Sequence, residues 1–255
     1  YSSFTVASGA TATCLGDPTA VNEPSGGTAA RPHGIGVTVF ADTATINGTL
    51  SAFGKGFPAG GGPGCGYDGS AHGGKGGNSA SPVYGSLTQP TALGSGSAAP
   101  SAVRRGGGAI RLAIGGTLSL NGTIDASAAD DDRSGSGGSV WLSASTFSGS
   151  GVIKAEGGCS QQYNYPGGGG RVALEYTNST FNGSVSVAGG KFKTDYSGQP
   201  GTLWEPKRFA GMAGAPDAPL PVLIASSYRY YFPDTTVNHW NLTVSNAWFE
   251  PHQGA

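Results

Sequence analysis

Charge is scarce in this chain. Lys and Arg number 14 and Asp and Glu 15 in 255 residues, for a net charge of −1 with no basic stripe. An electrostatic footprint for nucleic acid or anionic lipid is therefore missing. No apolar run approaches the roughly 20 residues of a membrane span. The first residue is Tyr1 rather than Met, which reads as a mature or excised segment with its leader removed. Three cysteines are too few for a disulfide scaffold and lack the C-x-x-C spacing of a zinc site. One disulfide is expected, Cys14 with Cys65, since both lie in the loop-rich first third, leaving Cys159 as a thiol.

Glycine is abundant, with 47 Gly beside 16 Pro. Such a composition can signal low-complexity disorder. Here the β-branched and aromatic residues fall into short runs between glycine clusters, which is the pattern of strands and turns. Four runs begin after a glycine cluster: Ala109-Ile-Arg-Leu-Ala-Ile114, Ser139-Val-Trp-Leu-Ser-Ala144, Arg171-Val-Ala-Leu-Glu-Tyr176 and Gly201-Thr-Leu-Trp204. Each of the first three is followed by a second short strand, over residues 118–126, 147–155 and 181–187, and a further copy spans 44–52. Ile46-Asn-Gly-Thr-Leu-Ser-Ala52, Leu120-Asn-Gly-Thr-Ile-Asp-Ala126 and Phe181-Asn-Gly-Ser-Val-Ser-Val187 align without gaps. Alternation puts Ile46, Leu50, Leu120, Ile124, Phe181, Val185 and Val187 on one face.

A pair of short strands cannot bury its own apolar face, whereas stacked copies share one interior column. The expected fold is all-β, a right-handed parallel β-helix (solenoid) with long Gly-rich loops; an antiparallel β-sandwich is the alternative. The expected organisation is a Gly-rich β-helix domain over 1–205, a Pro/Ala/Gly linker or capping arm over 206–221, and an aromatic-rich β segment over 222–255. That last segment is read as the start of a further module or as a docking segment. Within the first domain, residues 54–108 form a long glycine-rich insertion, expected to pack on the body as PPII-like or irregular strands.

The stretches Ala71-His-Gly-Gly-Lys-Gly-Gly77, Gly106-Gly-Gly-Ala-Ile-Arg-Leu112, Gly137-Gly-Ser-Val-Trp-Leu142 and Gly167-Gly-Gly-Gly-Arg-Val-Ala173 resemble the glycine-rich repeats of large cell-surface proteins. These include bacterial adhesin-like proteins and surface or mastigoneme proteins of algae and oomycetes. The resemblance covers about residues 44–204 and implies a β-helical fold and an extracellular, structural or adhesive role, with no catalytic residues to transfer.

Catalytic chemistry has few candidates. Asp130-Asp-Asp132, next to Arg133, is the single carboxylate cluster, suited to calcium but more simply read as a solvated loop. The histidines His33, His72, His239 and His252 are scattered. Trp141 and Trp204 occupy equivalent places in their repeats and suit either sugar stacking or, in first place, packing over a glycine-rich loop. Five sequons, at Asn47, Asn121, Asn178, Asn182 and Asn241, are glycosylation acceptors in a eukaryotic secretory pathway. The expectation is an extracellular, cell-surface structural protein rather than an enzyme: a glycosylated subunit of a fibre, appendage or matrix. It needs no cofactor or metal and self-associates or joins other subunits. A monomeric glycan-binding adhesin module and a polysaccharide lyase or hydrolase are the alternatives.

Overall fold

The computed structural model describes residues 1–21, 27–28, 32–98, 104–193 and 196–205, and beyond them the backbone of four short strands. The chain is all-β. The first repeats run through β1 (Ser3–Val6) and β2 (Thr11–Thr13), then β3 (Val37–Ala41), β4 (Thr43–Ile46) and β5 (Thr49–Ser51). After the insertion come β6 (Ala109–Ile114), β7 (Thr117–Leu120) and β8 (Thr123–Asp125), then β9 (Ser139–Ser148) and β10 (Val152–Lys154), then β11 (Arg171–Ser179) and β12 (Ser184–Ser186). The remainder comprises β13 (Lys191–Phe192), β14 (Tyr196–Ser197), β15 (Thr202–Trp204), β16 (Val222–Ile224), β17 (Arg229–Phe232), β18 (Leu242–Val244) and β19 (Trp248–Pro251).

These strands form two large parallel sheets. Sheet A holds ten strands in the order β1-β4-β7-β9-β11-β15-β17-β19, with β3 and β6 joined to it beside β9. Sheet B holds β2-β5-β8-β10-β12. Register follows the sequence repeat. Ala12, Leu50, Ile124, Ile153 and Val185 stand in one column of sheet B. Val37, Ile110, Val140, Val172 and Leu203 stand in one column of sheet A.

The two columns share the larger of two apolar cores, in which Ile46, Leu50, Leu120, Ile124, Ile153, Val172 and Leu203 are essentially inaccessible; Phe57, Leu93 and Ala109 form the smaller one. Each such side chain contributes roughly 1.5–3 kcal/mol by leaving water. Of the residues expected on the inner face, Val185 and Val187 are buried, and Phe181 is half-buried against Phe147, 4.3 Å between ring centres.

Two expectations are corrected. The antiparallel sandwich is overturned by the ladders, which are parallel throughout the two large sheets; among the named strands the β13–β14 hairpin is the antiparallel pair. The closed β-helical solenoid, and with it the right-handed winding, is overturned as well: among the described residues the strands make two separate sheets and no closed solenoid. The physical reason lies in the connections from sheet B to the next strand of sheet A. Residues 126–138 and 155–170 hold no strand, only the isolated bridge Asp131↔Ser160. These are glycine-rich stretches with little strand propensity.

Between sheets A and B the chain turns through Asn-Gly in three repeats and through Ser150-Gly151 in the fourth. Gly48, Gly122, Gly151 and Gly183 stack there so closely that a Cβ on Gly122 would lie 1.9 Å from the Gly48 carbonyl oxygen, and one on Gly183 2.0 Å from that of Gly151. Close approach explains the glycine at the third position of each motif. No helix among the described residues is long and apolar enough to cross a membrane. The Pro/Ala/Gly stretch 206–221 lies outside the described residues.

Candidate functional site

The glycine-rich connections and the insertion form a lattice held by main-chain hydrogen bonds. The Gly107 N–H donates to Ser136 O (2.9 Å), Gly137 to Gly168 O (3.0 Å) and Gly169 to Gln199 O (3.0 Å), linking successive repeats. The insertion adds a second layer, in which Gly94 donates to Gly107 O (2.8 Å), Gly73 to Gly169 O (3.0 Å) and Gly168 to Ser70 O (2.8 Å). Side chains have no room here. A Cβ on Gly138 would sit 1.8 Å from Gly108 O, and one on Gly107 1.9 Å from Ala126 O. The expectation of PPII-like or irregular strands packed on the body meets, in the described part of the insertion, an irregular segment that carries no strand.

Buried polar side chains bind this lattice to the sheets. Ser136 Oγ donates to Ala71 O (3.1 Å), Ser139 Oγ to Ala92 O (2.6 Å) and Ser70 Oγ to Gly96 O (2.9 Å). At the centre stand His72, Tyr84 and Arg171. The Arg171 Nε donates to Tyr84 O (2.8 Å) and its Nη1 to Thr202 Oγ1 (3.1 Å). The Tyr84 hydroxyl donates to Leu93 O and meets Ser95 Oγ at 2.8 Å, and its ring lies 4.7 Å from that of His72 and 5.0 Å from that of His33.

His72 is fully buried, and its Nδ1 lies 2.8 Å from Gly137 O. A carbonyl only accepts, so Nδ1 carries the proton and Nε2 presents a lone pair. Among the described residues that Nε2 has no hydrogen-bond partner, and it faces Gly85, where a Cβ would come within 3.2 Å. Burial, reinforced by the Arg171 charge, pushes His72 down to about 3, with the Gly137 bond opposing. Burial likewise raises the Tyr84 hydroxyl above its usual value, against its bond to Ser95. His72 and Tyr84 are thus uncharged beside the Arg171 cation, and the three form a buried clamp between the insertion and sheet A. Sequence reasoning passed over it because Arg171 and Tyr84 lie 87 residues apart; the legible signals were a histidine and an arginine set directly against glycine runs.

The outer face of sheet A carries a second cluster. The Arg111 guanidinium lies 3.8 Å above the Trp141 ring and 5.6 Å from that of Phe40, which is 60% exposed. Trp141 is thus a packed residue at 6% exposure, and Ala173 separates it in register from Trp204. Burial raises the Glu175 carboxyl, opposed by the Trp141 indole N–H and the Arg111 charge. The indole N–H stays outside strict hydrogen-bonding geometry to any acceptor among the described residues. A shallow groove of about 380 Å³ lies alongside, lined by Ser143, Ser145, Glu175, Tyr176 and Thr177.

The acidic run is divided among separate partners. Asp131 and Asp132 pair with Arg104 at 3.3 and 3.9 Å, and Asp130 accepts the Cys159 N–H at 2.7 Å. Among the described residues no group of three or more His, Cys, Asp or Glu is placed to hold a metal ion. Arg133, next in sequence, is caged by three tyrosines: Tyr67 at 3.6 Å, Tyr165 at 4.8 Å and Tyr163 at 5.0 Å. Tyr67 and Tyr163 are exposed, and this patch was not singled out in the sequence.

The Cys14–Cys65 disulfide is a correction: all three cysteines are free. Cys14 continues the ladder past β2, its N–H bonded to Ser51 O at 2.7 Å, and sits in the apolar core. Cys65 lies in the insertion beside Ser81, whose Oγ donates to its carbonyl. Four sequon residues, Asn47, Asn121, Asn178 and Asn182, are exposed; Asn241, like His239 and His252, lies outside the described residues. No protein-family model, curated protein or solved structure matches this chain.

Proposed function

We propose that this protein is an extracellular structural subunit, glycosylated on its asparagine corner, that builds a surface fibre, appendage or matrix by self-association. The observation that carries the reading is the residue-for-residue stacking of the repeats, with the glycine tracts cross-bonded into the same body rather than left as loops. Such a structure resists bending because every layer is tied to the next by both ladder and lattice bonds. The likeness of the glycine repeats to cell-surface proteins points the same way. Electron microscopy of native, untagged material tests it. Ordered filaments or sheets with a regular axial repeat support the reading, and dispersed particles at high protein concentration oppose it.

A second reading, a glycan-binding adhesin module, draws on the exposed Tyr67 and Tyr163 beside Arg133, since sugar rings stack on such faces. Binding of monomeric protein to a glycan array, lost in Tyr67→Ala and Tyr163→Ala, would favour it over the scaffold.

A further inference from the structure

Three tyrosines from two distant segments converge on one cation. Tyr67 lies in the insertion, Tyr163 and Tyr165 in the connection from β10 to β11, and Arg133 in the connection from β8 to β9. The Arg133 guanidinium covers the Tyr67 ring and gathers the other two rings around it. Main-chain bonds fix the bases of these side chains. The Ser134 N–H donates to Tyr165 O at 3.1 Å, the Tyr165 N–H to Tyr163 O at 2.8 Å and the Ser70 N–H to Ser134 O at 3.3 Å. The ring centres of Tyr67 and Tyr165 are 6.1 Å apart with the planes tilted by 54°; those of Tyr163 and Tyr165 are also 6.1 Å apart but stacked, at 30°. Tyr67 is 56% exposed, so an oxidant in solvent reaches its ring directly.

A phenol that loses one electron and its hydroxyl proton becomes a neutral phenoxyl radical, with unpaired spin on the carbons ortho to the oxygen. We propose that Tyr67 and Tyr165 are an oxidative modification site, coupled to each other as a dityrosine by hydrogen peroxide acting through a haem peroxidase. Each ring gives up one electron and one proton, and the two ortho carbons form a carbon–carbon bond. The ortho hydrogens then move to the oxygens and restore both phenols, while the peroxide takes the two electrons and two protons and leaves as two waters. A biaryl bond joins ring edges with the planes twisted, which the tilted Tyr67–Tyr165 pair approaches more closely than the stacked pair. Rings held together on one chain meet at an effective concentration on the order of millimolar or above, against about micromolar for rings on separate molecules in dilute solution, so the bond within the chain forms first. It ties the insertion covalently to the repeat body, in a protein whose three cysteines are free. The inference is independent of the scaffold reading, because it concerns a single molecule.

The test treats the full chain, dilute and monomeric, with a haem peroxidase and hydrogen peroxide, and reads dityrosine by fluorescence and by mass spectrometry of the digest. The expected product is a monomer in which the Tyr67 and Tyr165 peptides are joined and lighter by two hydrogens, at a yield independent of protein concentration. Tyr67→Phe and Tyr165→Phe keep the ring and remove the radical; each is expected to lower monomer dityrosine at least tenfold, whereas Tyr163→Phe preserves it. If one of the two fails to fold by circular dichroism, the other carries the test. Other pairs in place of this one, attachment of Tyr67 to the Cys65 sulfur, coupling only between molecules, or no coupling where free N-acetyltyrosine couples overturns the proposal. Filament formation bears on the scaffold reading alone.

Discussion

The Asn121 side-chain amide donates to the Asn47 side-chain oxygen at 3.1 Å, joining two residues 74 apart in the chain. Each is the second residue of its motif, Ile46-Asn-Gly-Thr and Leu120-Asn-Gly-Thr. The same stacking sets Thr49 against Thr123 and Leu50 against Ile124. Asparagine ladders of this kind link layers at the corner where the chain leaves sheet A.

Both asparagines stand in Asn-Gly-Thr sequons, and their layers are about 4.8 Å apart, too close for two branched glycans to extend side by side. In material secreted from eukaryotic cells, the folded protein is expected to carry a glycan at Asn47 or at Asn121, and seldom at both. Intact-glycopeptide mass spectrometry checks this; double occupancy at the product of the single-site frequencies contradicts it.

The lattice makes a sharp distinction between glycines. Gly138→Ala forces a Cβ to within 1.8 Å of a carbonyl oxygen and is expected to cost several kcal/mol or to abolish folding. Gly115→Ala meets nothing within 4 Å and is expected to be neutral to within about 0.5 kcal/mol. Chemical denaturation of the two variants side by side decides.

His72 supplies an acid-sensitive element. Its folded value of about 3 lies below the unfolded value of about 6.5, so the unfolded chain binds more protons between those limits. Stability from this group is complete above about pH 6.5 and falls as pH drops towards 3, by roughly 3 kcal/mol at pH 4. His72→Asn, which keeps a donor for Gly137 O, is expected to flatten that acid limb. Urea midpoints at pH 7.5 and pH 4 for both proteins provide the check, and parallel pH profiles exclude a role for His72.

Cys14 is expected to be inert in the native state. It is 5% exposed, and burial pushes its thiol up to about 11, so little thiolate forms at neutral pH. Titration with an aromatic disulfide reagent at pH 7.5 should leave this thiol unmodified until denaturant is added. Labelling of Cys14 at the rate of a model peptide contradicts the packing.

The repeat was legible because its alternation is a surface property: Ile46, Leu50, Leu120 and Ile124 recur at the same offsets and all lie in the core. Placing Trp141 as a packing residue was within reach for the same reason, although the covering Arg111 was not foreseen. The connections were read as loops because glycine has no side chain to display a period, so nothing in residues 126–138 separates a free loop from an irregular, tightly bonded segment. The His72, Tyr84 and Arg171 clamp depends on how the insertion folds back, a long-range arrangement that no local pattern encodes. The disulfide expectation failed on the same point, since proximity in sequence order put Cys14 and Cys65 together while the fold sends one into the core and the other into the insertion.

The most direct measurement is residue-resolved amide hydrogen exchange at Gly107, Gly137 and Gly169. As cross-bonded members of a rigid scaffold they are expected to exchange as slowly as Leu50 and Ile124 in sheet B, near the limit set by global unfolding. Exchange at the rate of an exposed loop, with sheet B still protected, would contradict the account by showing that the glycine tracts are connections and not structure.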